Sequence, residues 1–376
     1  MISHGLVRYE RTLAGLERKG RRRALVASGG VDFTSNDYLA LAHSPRLKAA
    51  ITAALDRGVP VGAGGSRLLR GNHEEHEALE AEAATFFGCE SALFFSAGFA
   101  ANGAIFAALP QRGDLIVHDE LVHASAHDGM RLARAERVAA AHNEAQAFDD
   151  AIRNWRAAGG TGRPWIAVET LYSMDGDQAP LAALAQVAAR HEAMLLLDEA
   201  HATGVFGPDG RGLAAGLDGR ENVIVLRTCG KALGCEGGLV CAPAVITDFL
   251  VNRGRPFIFS TAPSPLMAAA VRESLRILTD EPERREKLAA LSTHAATSLA
   301  RHGAVATGSP ILPLILGEDA RTMAVAHKLQ AAGFDVRGIR PPTVPAGTAR
   351  LRISVTLNVD AADIDALDAA LAEALA

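Results

Sequence analysis

The sequence has few cysteines, few aromatic residues and no long apolar run. Only 4 of its 376 residues are cysteine, and 5% are aromatic. So few cysteines in a chain of this length do not form the disulfide framework of a small secreted protein, and we expect a reduced, cytoplasmic protein. No apolar run reaches the roughly 18 residues of a membrane-spanning helix. The first residues, MISHGLVRYERTL, lack the charged-then-apolar pattern of a signal peptide.

An excess of basic residues is also missing, because the formal net charge is −5. A protein whose main partner is nucleic acid carries clustered cations that neutralise phosphates, so we expect no nucleic-acid partner. The local exception is the basic run RRR at residues 21–23. This run is either a solvated face between a helix and a strand or a contact for an anionic substrate.

Short apolar runs alternate with amphipathic stretches between residues 39 and 240. The predicted strands are ALFF (92–95), DLIVHD (114–119), PWIAVE (164–169), AMLLLDE (193–199) and NVIVLRT (222–228). The predicted helices between them cover residues 76–87, 149–158 and 181–191. This alternation predicts an α/β fold, with a mostly parallel sheet flanked by helices.

The pattern changes after residue 243, where a long helical region is followed by short apolar segments. The predicted elements of this part are helices at 265–302, 321–332 and 361–375 and strands at 311–316 and 350–355. We therefore predict three parts, given the usual size of domains. They are an N-terminal helix and short strand segment (1–37), a large domain (38–248) and a smaller C-terminal α+β domain (249–376).

Polar residues stand at the ends of four predicted strands. They are His118, Asp119, Glu169, Asp198, Glu199 and Thr228. In a parallel sheet, ligands bind beyond the carboxyl ends of the strands. The sequence therefore predicts a cofactor site at this edge of the sheet.

One nucleotide-binding motif is incomplete. LLLDEAH (195–201) resembles the acidic strand of an ATPase, but Lys231 is followed by Ala232, and Val225 stands where the first glycine of a P-loop belongs. We therefore reject the ATPase reading. The three later cysteines, spaced six residues apart, are Cys229, Cys235 and Cys241. Zinc sites use closer pairs, so we expect buried thiols and no metal.

Four features remain, and each of them alone also fits a structural role. SAGFAANG (96–103) follows a strand and opens a helix, so its amides either bind a phosphate or form a plain tight turn. Asp198 ends a strand, with His201 three residues later, and its carboxylate is either structural or the partner of a protonated heterocycle. The remaining features are Thr228 and Lys231 after the next strand and His123 after an earlier one.

Together the four features fit pyridoxal phosphate (PLP). That cofactor needs a lysine for a Schiff base, an anion beside its pyridinium nitrogen and an N–H cradle for its phosphate. A lysine in a desolvated or cation-rich site loses its proton and becomes nucleophilic. Lys231 and Asp198 are one strand–helix step apart, which suits both roles.

Seven blocks of the sequence resemble the α-oxoamine synthases, a family of fold-type I PLP enzymes. The blocks are SNDYLAL (35–41), GAGGSRLLRGNHEEH (62–76), HDELVHAS (118–125), ETLYSMDGD (169–177), DEAHATGVFG (198–207), TCGKALG (228–234) and IRPPTVPAGTARLRIS (339–354). They span about residues 30 to 357. The resemblance implies a fold-type I PLP-dependent transferase with a large PLP-binding domain and a smaller C-terminal domain.

The resemblance implies catalytic roles for three residues. Lys231 would form the Schiff base and act as general base and acid at the amino-acid Cα, Asp198 would pair with the pyridinium nitrogen, and His123 would stack on the ring. The implied cofactor contacts are Gly98, Phe99, His123, Ser173, Asp198, His201, Thr228, Lys231 and Thr261, of which Thr261 would reach the partner chain's phosphate in a homodimer. The implied substrate contacts are Asn36 and Arg352 for the amino-acid carboxylate and Arg21 and Thr343 for the acyl thioester.

The implied reaction is a decarboxylative condensation of an amino acid with an acyl thioester. RLLRGNH and IRPPTVPAGTARLR are most similar to members that join L-alanine to a pimeloyl thioester, on CoA or acyl-carrier protein, in biotin biosynthesis. Three alternatives stay open. They are a synthase for glycine and acetyl-CoA, a synthase for serine and a long acyl chain, and a binding subunit that keeps the fold without catalysis.

The sequence departs from the family in three places. Tyr172 stands where the family usually has Phe, LNV (357–359) replaces the Ala-Ala-His of many members, and Glu236 lies near the lysine. None of these changes removes a catalytic group, but they bear on the acyl-chain preference. We expect the glycines around Lys231 to leave room for the cofactor ring.

Overall fold

The structure is a computed structural model that describes residues 5–376. Residues 1–4, which begin the segment MISHGLVRYERTL, lie outside the described residues. The helices are α1 (Val7–Arg18), α2 (Pro45–Asp56), α3 (Glu74–Phe87), α4 (Gly98–Ala108), α5 (Ala124–Leu132), α6 (Ala145–Ala157), α7 (Leu181–His191), α8 (Ala244–Arg253), α9 (Arg255–Ile258), α10 (Pro265–Asp280), α11 (Glu283–Leu299), α12 (Asp319–Ala331) and α13 (Ala361–Leu375). Within residues 5–376, no helix is long and apolar enough to cross a membrane.

The strands alternate with these helices in the first two thirds of the chain. They are β1 (Val31–Asp32), β2 (Ser91–Phe95), β3 (Leu115–Asp119), β4 (Glu136–Ala140), β5 (Pro164–Glu169), β6 (Met194–Asp198), β7 (Val223–Thr228), β8 (Gly238–Ala242), β9 (Ile311–Gly317), β10 (Phe334–Asp335), β11 (Arg337–Ile339) and β12 (Ala349–Ser354). The chain forms two compact units. Asn36–Leu288 is the large unit, and the residues up to Ser35 together with Ala289–Ala376 are the small unit.

The large unit is built on a seven-stranded sheet in the order β2-β8-β7-β6-β5-β3-β4. The strands from β4 to β7 are parallel, and β8 runs antiparallel to both β7 and β2. Buried side chains of α4 and α5, such as Ile105 and Met130, pack on strand residues such as Ile116 and Leu196. The predicted α/β fold is confirmed, and the parallel strands place β3, β5, β6 and β7 with their carboxyl ends at one edge.

The predicted helix at 265–302 is two helices, because Pro282 lacks the N–H that would continue the first one. Helix α10 belongs to the large unit. Arg272 on α10 contacts the Glu75 carboxylate of α3 at 2.5 Å, and Ser274 donates to the Leu233 carbonyl at 2.7 Å. Residues 249–288 therefore pack with the large unit, whereas the sequence-based boundary lies at 248/249.

The small unit contains an antiparallel sheet in the order β11-β12-β9 and a parallel pair of β1 with β10. Helix α13 buries Ile364, Leu367 and Leu371, and Asp360 caps its start by accepting from the Asp363 amide at 3.0 Å. This mixture of antiparallel strands and helices matches the α+β character predicted for the C-terminal part.

Candidate active site

The Asp198 carboxylate is held in a fixed direction at the end of β6. Its Oδ2 accepts a hydrogen bond from Asn102 Nδ2 at 2.8 Å, and its Oδ1 accepts from the Ala200 amide at 3.0 Å. Asn102 is buried on α4, one turn after Gly98. A carboxylate oriented in this way can accept a hydrogen bond from a protonated ring nitrogen.

Asn102 also connects Asp198 to His123. Its Nδ2 donates to Ser125 Oγ at 2.9 Å, and Ser125 Oγ lies 2.8 Å from His123 Nδ1. The sequence analysis did not identify Asn102 or Ser125. The available signal was the position of Asn102 in SAGFAANG, four residues after Gly98, which places both residues on one face of a helix.

His123 precedes α5 and caps its start by accepting from the Ser125 amide at 3.2 Å. The side chain remains partly open to solvent. Desolvation lowers the pKa of His123, the Asp198 carboxylate opposes that effect, and the Lys231 ammonium lowers the pKa further. A neutral imidazole held by its own helix cap presents a flat face on which an aromatic ring can stack.

The start of α4 offers free backbone donors. Ala97 precedes the helix and has no side-chain oxygen to cap it, so the first-turn amides are available to an anion. A Cβ on Gly98 would lie 3.6 Å from Thr228 Oγ1, which places that hydroxyl beside the helix start. A Cβ on Gly238 would come within 2.9 Å of the Gly98 backbone, so β8 passes close to the start of α4.

Lys231 lies in the hairpin between β7 and β8, and its side chain is half-buried. The hairpin is closed by the Cys229 amide, which donates to the Gly237 carbonyl at 2.9 Å, and by the Cys235 amide, which donates to the Cys229 carbonyl at 2.9 Å. The Gly234 amide donates to the Lys231 carbonyl at 2.8 Å. These bonds fix the backbone that carries the lysine.

Two glycines of this hairpin have a different role from the one expected. Gly234 has φ +63°, and a Cβ there would lie 2.5 Å from the Ala42 amide nitrogen. Gly237 has φ +113°, and its Cβ would lie 2.3 Å from Phe94 Cε2. Both positions require glycine for backbone conformation and close packing. The expectation that these glycines make room for a cofactor ring is corrected accordingly.

Glu169 stands beside Asp198, because the two residues are paired in register on β5 and β6. Desolvation and the Asp198 carboxylate raise the pKa of Glu169 to about 8, although the Lys231 ammonium opposes them. Oε2 of Glu169 accepts from the Ser173 amide at 3.2 Å. Together with His123 and Asp198, Glu169 lines one cavity under α4 and α5. The site thus places a carboxyl group with a raised pKa directly beside the Asp198 side chain.

His201 and Asn36 are joined through Tyr38. The buried Tyr38 hydroxyl lies 2.8 Å from His201 Nδ1 and donates to Asn36 Oδ1 at 3.2 Å. Tyr38 is fully buried, and the sequence analysis did not single it out within SNDYLAL. This chain fixes the orientation of two residues that the family resemblance assigns to cofactor and substrate.

The remaining predicted contacts lie in other parts of the chain. Thr261 is exposed in the segment between α9 and α10 of the large unit. In the small unit, Arg352 is buried on β12 and donates to Ser354 Oγ at 2.5 Å. Arg21 forms an ion pair with Asp319 at 2.7 Å. Thr343 is exposed in the small unit.

A cationic pocket of about 640 Å³ lies within the small unit. Its lining residues are Leu13, Leu16, Lys19, Arg21, Arg22, Arg23, Gly338, Ile339, Arg340, Pro341, Pro342 and Thr343. Arg23 donates to Thr343 Oγ1 at 3.5 Å, and Arg340 donates to the Gly20 carbonyl. Five cationic side chains around one pocket provide the donors that phosphate groups prefer.

The groups of the large unit fit PLP. The uncapped α4 start beside Thr228 suits a phosphate, the oriented Asp198 carboxylate suits a pyridinium, and the half-buried Lys231 supplies an amine. The pKa of His123 responds to both Asp198 and Lys231, which places these three groups within electrostatic range of one another.

A family model described as aminotransferase class I and II matches residues 28–371. This chain therefore belongs to the aminotransferase class I and II family. Curated relatives include 8-amino-7-oxononanoate synthases from Anaeromyxobacter dehalogenans strain 2CP-1 and from Geobacter sulfurreducens. The first is 43% identical and the alignment covers 96% of this chain and 94% of the relative. The second is 41% identical, with coverages of 98% and 94%. The resemblance to the α-oxoamine synthases is confirmed.

Solved structures agree with this family. A serine palmitoyltransferase from S. paucimobilis with bound PLP-myriocin aldimine is 27% identical, has a TM-score of 0.90 and covers 100% of this chain and 98% of its own. The 8-amino-7-oxononanoate synthase of Francisella tularensis is 28% identical, with a TM-score of 0.78 and coverages of 92% and 98%. The fold-type I prediction is confirmed.

Proposed function

We propose that this chain is a PLP-dependent acyltransferase that condenses L-alanine with a pimeloyl thioester. The products are 8-amino-7-oxononanoate, CO₂ and the free thiol, as in biotin biosynthesis. The observation that carries the proposal is the convergence of Asp198, His123 and Lys231 at the carboxyl edge of the sheet, beside the uncapped start of α4. The relatives named 8-amino-7-oxononanoate synthase support the choice of substrates.

The bound cofactor supplies an electron sink for a carbanion at the amino-acid Cα. The protein supplies the groups around it. Lys231 provides the covalent attachment and then moves the proton at Cα as general base and acid. Asp198, held by Asn102, keeps the ring nitrogen protonated. His123 offers its flat face to the ring, and Ser173 and His201 bind polar atoms at its edge.

The first-turn amides of α4, at Gly98 and Phe99, and the Thr228 hydroxyl bind the cofactor phosphate in this proposal. Support comes from the missing side-chain cap at Ala97 and from the position of Thr228 beside Gly98. An anion at a helix start is stabilised by the exposed N–H groups and the helix dipole.

We assign one set of residues to the amino acid and another to the acyl thioester. Asn36 and Arg352 are the proposed contacts of the amino-acid carboxylate, as the family resemblance implies. The cationic pocket, with Arg21 and Thr343, is the proposed contact of the thioester carrier. CoA and the phosphopantetheine arm of an acyl-carrier protein both bear phosphate, so the pocket chemistry suits either carrier.

We also propose a homodimer in the cytoplasm, with Thr261 donating to the phosphate bound by the partner chain. Phe99, at the start of α4, is 55% exposed, and Phe259, two residues before Thr261, is 69% exposed. Large apolar side chains left open beside a binding site are typical of an interface. A second copy of this chain is the occupant that the Thr261 assignment requires.

A second candidate is a sister synthase that uses serine or glycine with another acyl-CoA. The observation in its favour is the TM-score of 0.90 to serine palmitoyltransferase across the whole chain. The identity to that protein is 27%, whereas the 8-amino-7-oxononanoate synthases reach 43%. We therefore rank L-alanine and a pimeloyl thioester first.

A thiol-release assay tests the proposal. The enzyme with PLP is given alanine, glycine or serine in turn, each with acetyl-, pimeloyl- and palmitoyl-CoA and with pimeloyl-acyl-carrier protein. We expect the highest kcat/KM for L-alanine with a pimeloyl thioester and a product with the mass of 8-amino-7-oxononanoate. A higher kcat/KM for glycine or serine would support the sister synthase, and no thiol release with any pair would reject the proposed function.

A further inference from the structure

A second polar cluster lies at the same edge of the sheet and has no role in the proposed chemistry. The His142 ring stands between two carboxylates. Nδ1 is 2.9 Å from Asp119 Oδ1, and Nε2 is 2.8 Å from Asp177 Oδ2. We call Asp119, His142, Asn143 and Asp177 the His142 clamp.

Asn143 also forms hydrogen bonds with both carboxylates that contact His142. Its amide donates to Asp119 Oδ2 at 2.8 Å, and its Nδ2 donates to Asp177 Oδ2 at 2.6 Å. Asn143 has φ +57°, a conformation that Asn tolerates better than most residues. Desolvation would lower the pKa of His142, but its bonds to Asp119 and Asp177 outweigh that effect and raise the pKa to about 10. At neutral pH the His142 ring is therefore protonated between the Asp119 and Asp177 side chains.

One end of the clamp fixes the turn that leads to His123. Asp119 ends β3 with no exposed surface, and its Oδ1 accepts from the Leu121 amide at 2.8 Å. The Asp119 carbonyl accepts from the Val122 amide at 3.3 Å. The residue after this turn is His123, so the position of its ring depends on the Asp119 side chain.

The other end fixes the turn that carries Ser173. The Tyr172 amide donates to the Asp177 carbonyl at 2.9 Å, and the Gly176 amide donates to the Tyr172 carbonyl at 2.9 Å. Ser173 follows Tyr172 inside this closed turn. The Asp177 side chain, held by His142, thus sets the position of the backbone at Ser173 relative to β3.

Tyr172 packs its ring edge-on against His142, with a centroid distance of 4.5 Å. Its hydroxyl is buried, and burial together with the nearby Asp119 carboxylate raises its pKa. This is the position at which the sequence departs from the Phe that is usual in the family. The residue that differs from the family therefore packs against the His142 clamp.

We propose that His142 is a positioning residue that fixes the His123 turn and the Ser173 turn at one separation, so that both side chains meet the cofactor ring together. This inference rests on the proposed function, because the ring is that of PLP. In this proposal His142 acts through its contacts with Asp119 and Asp177.

The test compares His142→Gln with a matched control, His191→Gln. His191 Nε2 lies 2.9 Å from Asp149 Oδ1, so the control also breaks a histidine–carboxylate pair of the large unit, between α6 and α7. Both variants and the wild type are stripped of PLP and titrated with it. The measurements are the PLP Kd, the visible circular dichroism of bound PLP and kcat.

For His142→Gln we expect a PLP Kd about 10-fold weaker, the effect typical of losing a partner that orients a binding group. We also expect a reduced visible circular dichroism band and a kcat about 100-fold lower, because small misplacements slow chemistry strongly. His191→Gln should keep the wild-type Kd and band. If His142→Gln does not fold, Asp177→Asn, at a position 37% exposed, should change both values in the same direction.

Two results would overturn the inference. One is a wild-type Kd and band in a folded His142→Gln or Asp177→Asn variant, and the other is an equal change in His191→Gln. A wild-type protein that binds no PLP would instead reject the proposed function, so the two failures are distinguishable.

Discussion

At the ends of β6 and β7, residues that are adjacent in sequence point to opposite faces of the sheet, and the two faces differ in how completely their polar groups are paired. Asp198 and Thr228 face α4, whereas Glu199 and Arg227 face the other side, because successive strand residues alternate. Arg227 is fully buried, with its guanidinium 3.9 Å from the centre of the Phe87 ring. Its Nη2 donates to both oxygens of Asp218 at 2.9 and 2.7 Å.

The Arg227 side is closed. Nη1 donates to Glu199 Oε2 and Thr203 Oγ1, both at 3.3 Å, and Glu199 Oε1 accepts from the Ala214 amide at 2.9 Å. A Cβ on Gly212 would collide with Glu199. On the Asp198 side, the first-turn amides of α4 have no side-chain cap. Glu169, whose pKa is raised to about 8, and the exposed His123 line a cavity there. We call the Arg227 side the closed side and the Asp198 side the open side. We infer that the buried charges of the closed side stabilise the fold, whereas the polar groups of the open side bind a ligand.

The largest expected effect is on the open side. Asp198→Asn keeps the shape of the side chain but replaces an anion with a neutral amide, which cannot keep the ring nitrogen protonated. We expect kcat to fall on the order of 10³-fold, which corresponds to about 4 kcal/mol of activation free energy. Steady-state thiol release measures this. A fall of less than 10-fold would contradict the role of Asp198, provided that the variant binds PLP.

The matching change on the closed side is Arg227→Met, which leaves the Glu199 and Asp218 carboxyl groups buried without their cation. We expect the free energy of unfolding to fall by about 3–5 kcal/mol, as for other broken buried pairs. Denaturant unfolding measures it. The kcat per folded molecule should stay within about threefold of wild type. A large loss of kcat with unchanged stability would contradict the inference that the Arg227 side serves the fold and only the Asp198 side serves catalysis.

The smallest effect concerns Glu169. Its pKa is raised from 4.5 to about 8 in the folded protein, so the folded state binds its proton more tightly than the unfolded state does. This group therefore lowers the free energy of unfolding progressively as pH rises from 4.5 through 8. Glu169→Gln keeps an acceptor for the Ser173 amide and removes the titration.

For Glu169→Gln we expect kcat within about 10-fold of wild type, since a single hydrogen-bonded neutral group is replaced by another. The apoenzyme variant should gain stability relative to the wild type between pH 5 and pH 8. Unfolding curves at these two pH values measure the gain. A difference that is the same at both values would mean that Glu169 is ionised in the folded protein.

Sequence patterns predicted those helices and strands whose ends are marked by the neighbouring residues in the sequence. The bounds of β5, α7 and α13 agree with the prediction, because apolar periodicity and flanking polar residues mark their ends. Strand β4 was not predicted. Its sequence, ERVAA, is mostly exposed at the sheet edge and becomes a strand only by pairing with β3. Strand β8, with the sequence GLVCA, was also not predicted, although it is buried and pairs antiparallel with β2 and β7.

In the site, too, the residues marked by a local pattern were predicted, and those that depend on distant partners were not. Residues with a recognisable motif, such as Lys231 and Asp198, were predicted as candidates from their positions after strands. Asn102 and His142 depend on partners that are distant in the chain, at Asp198, Asp119 and Asp177, and no local pattern records such pairs. Glu236 is exposed in the hairpin, and nothing in the structure explains it.

The central claim is that Lys231 is the residue to which PLP is covalently attached. Borohydride reduction of the protein with bound PLP, followed by proteolysis and mass spectrometry, tests it most directly. The account predicts one pyridoxyl label, on the peptide that contains Lys231, and no label in Lys231→Ala. A label on another lysine, or no label in a wild-type protein that has been incubated with PLP, would contradict the account.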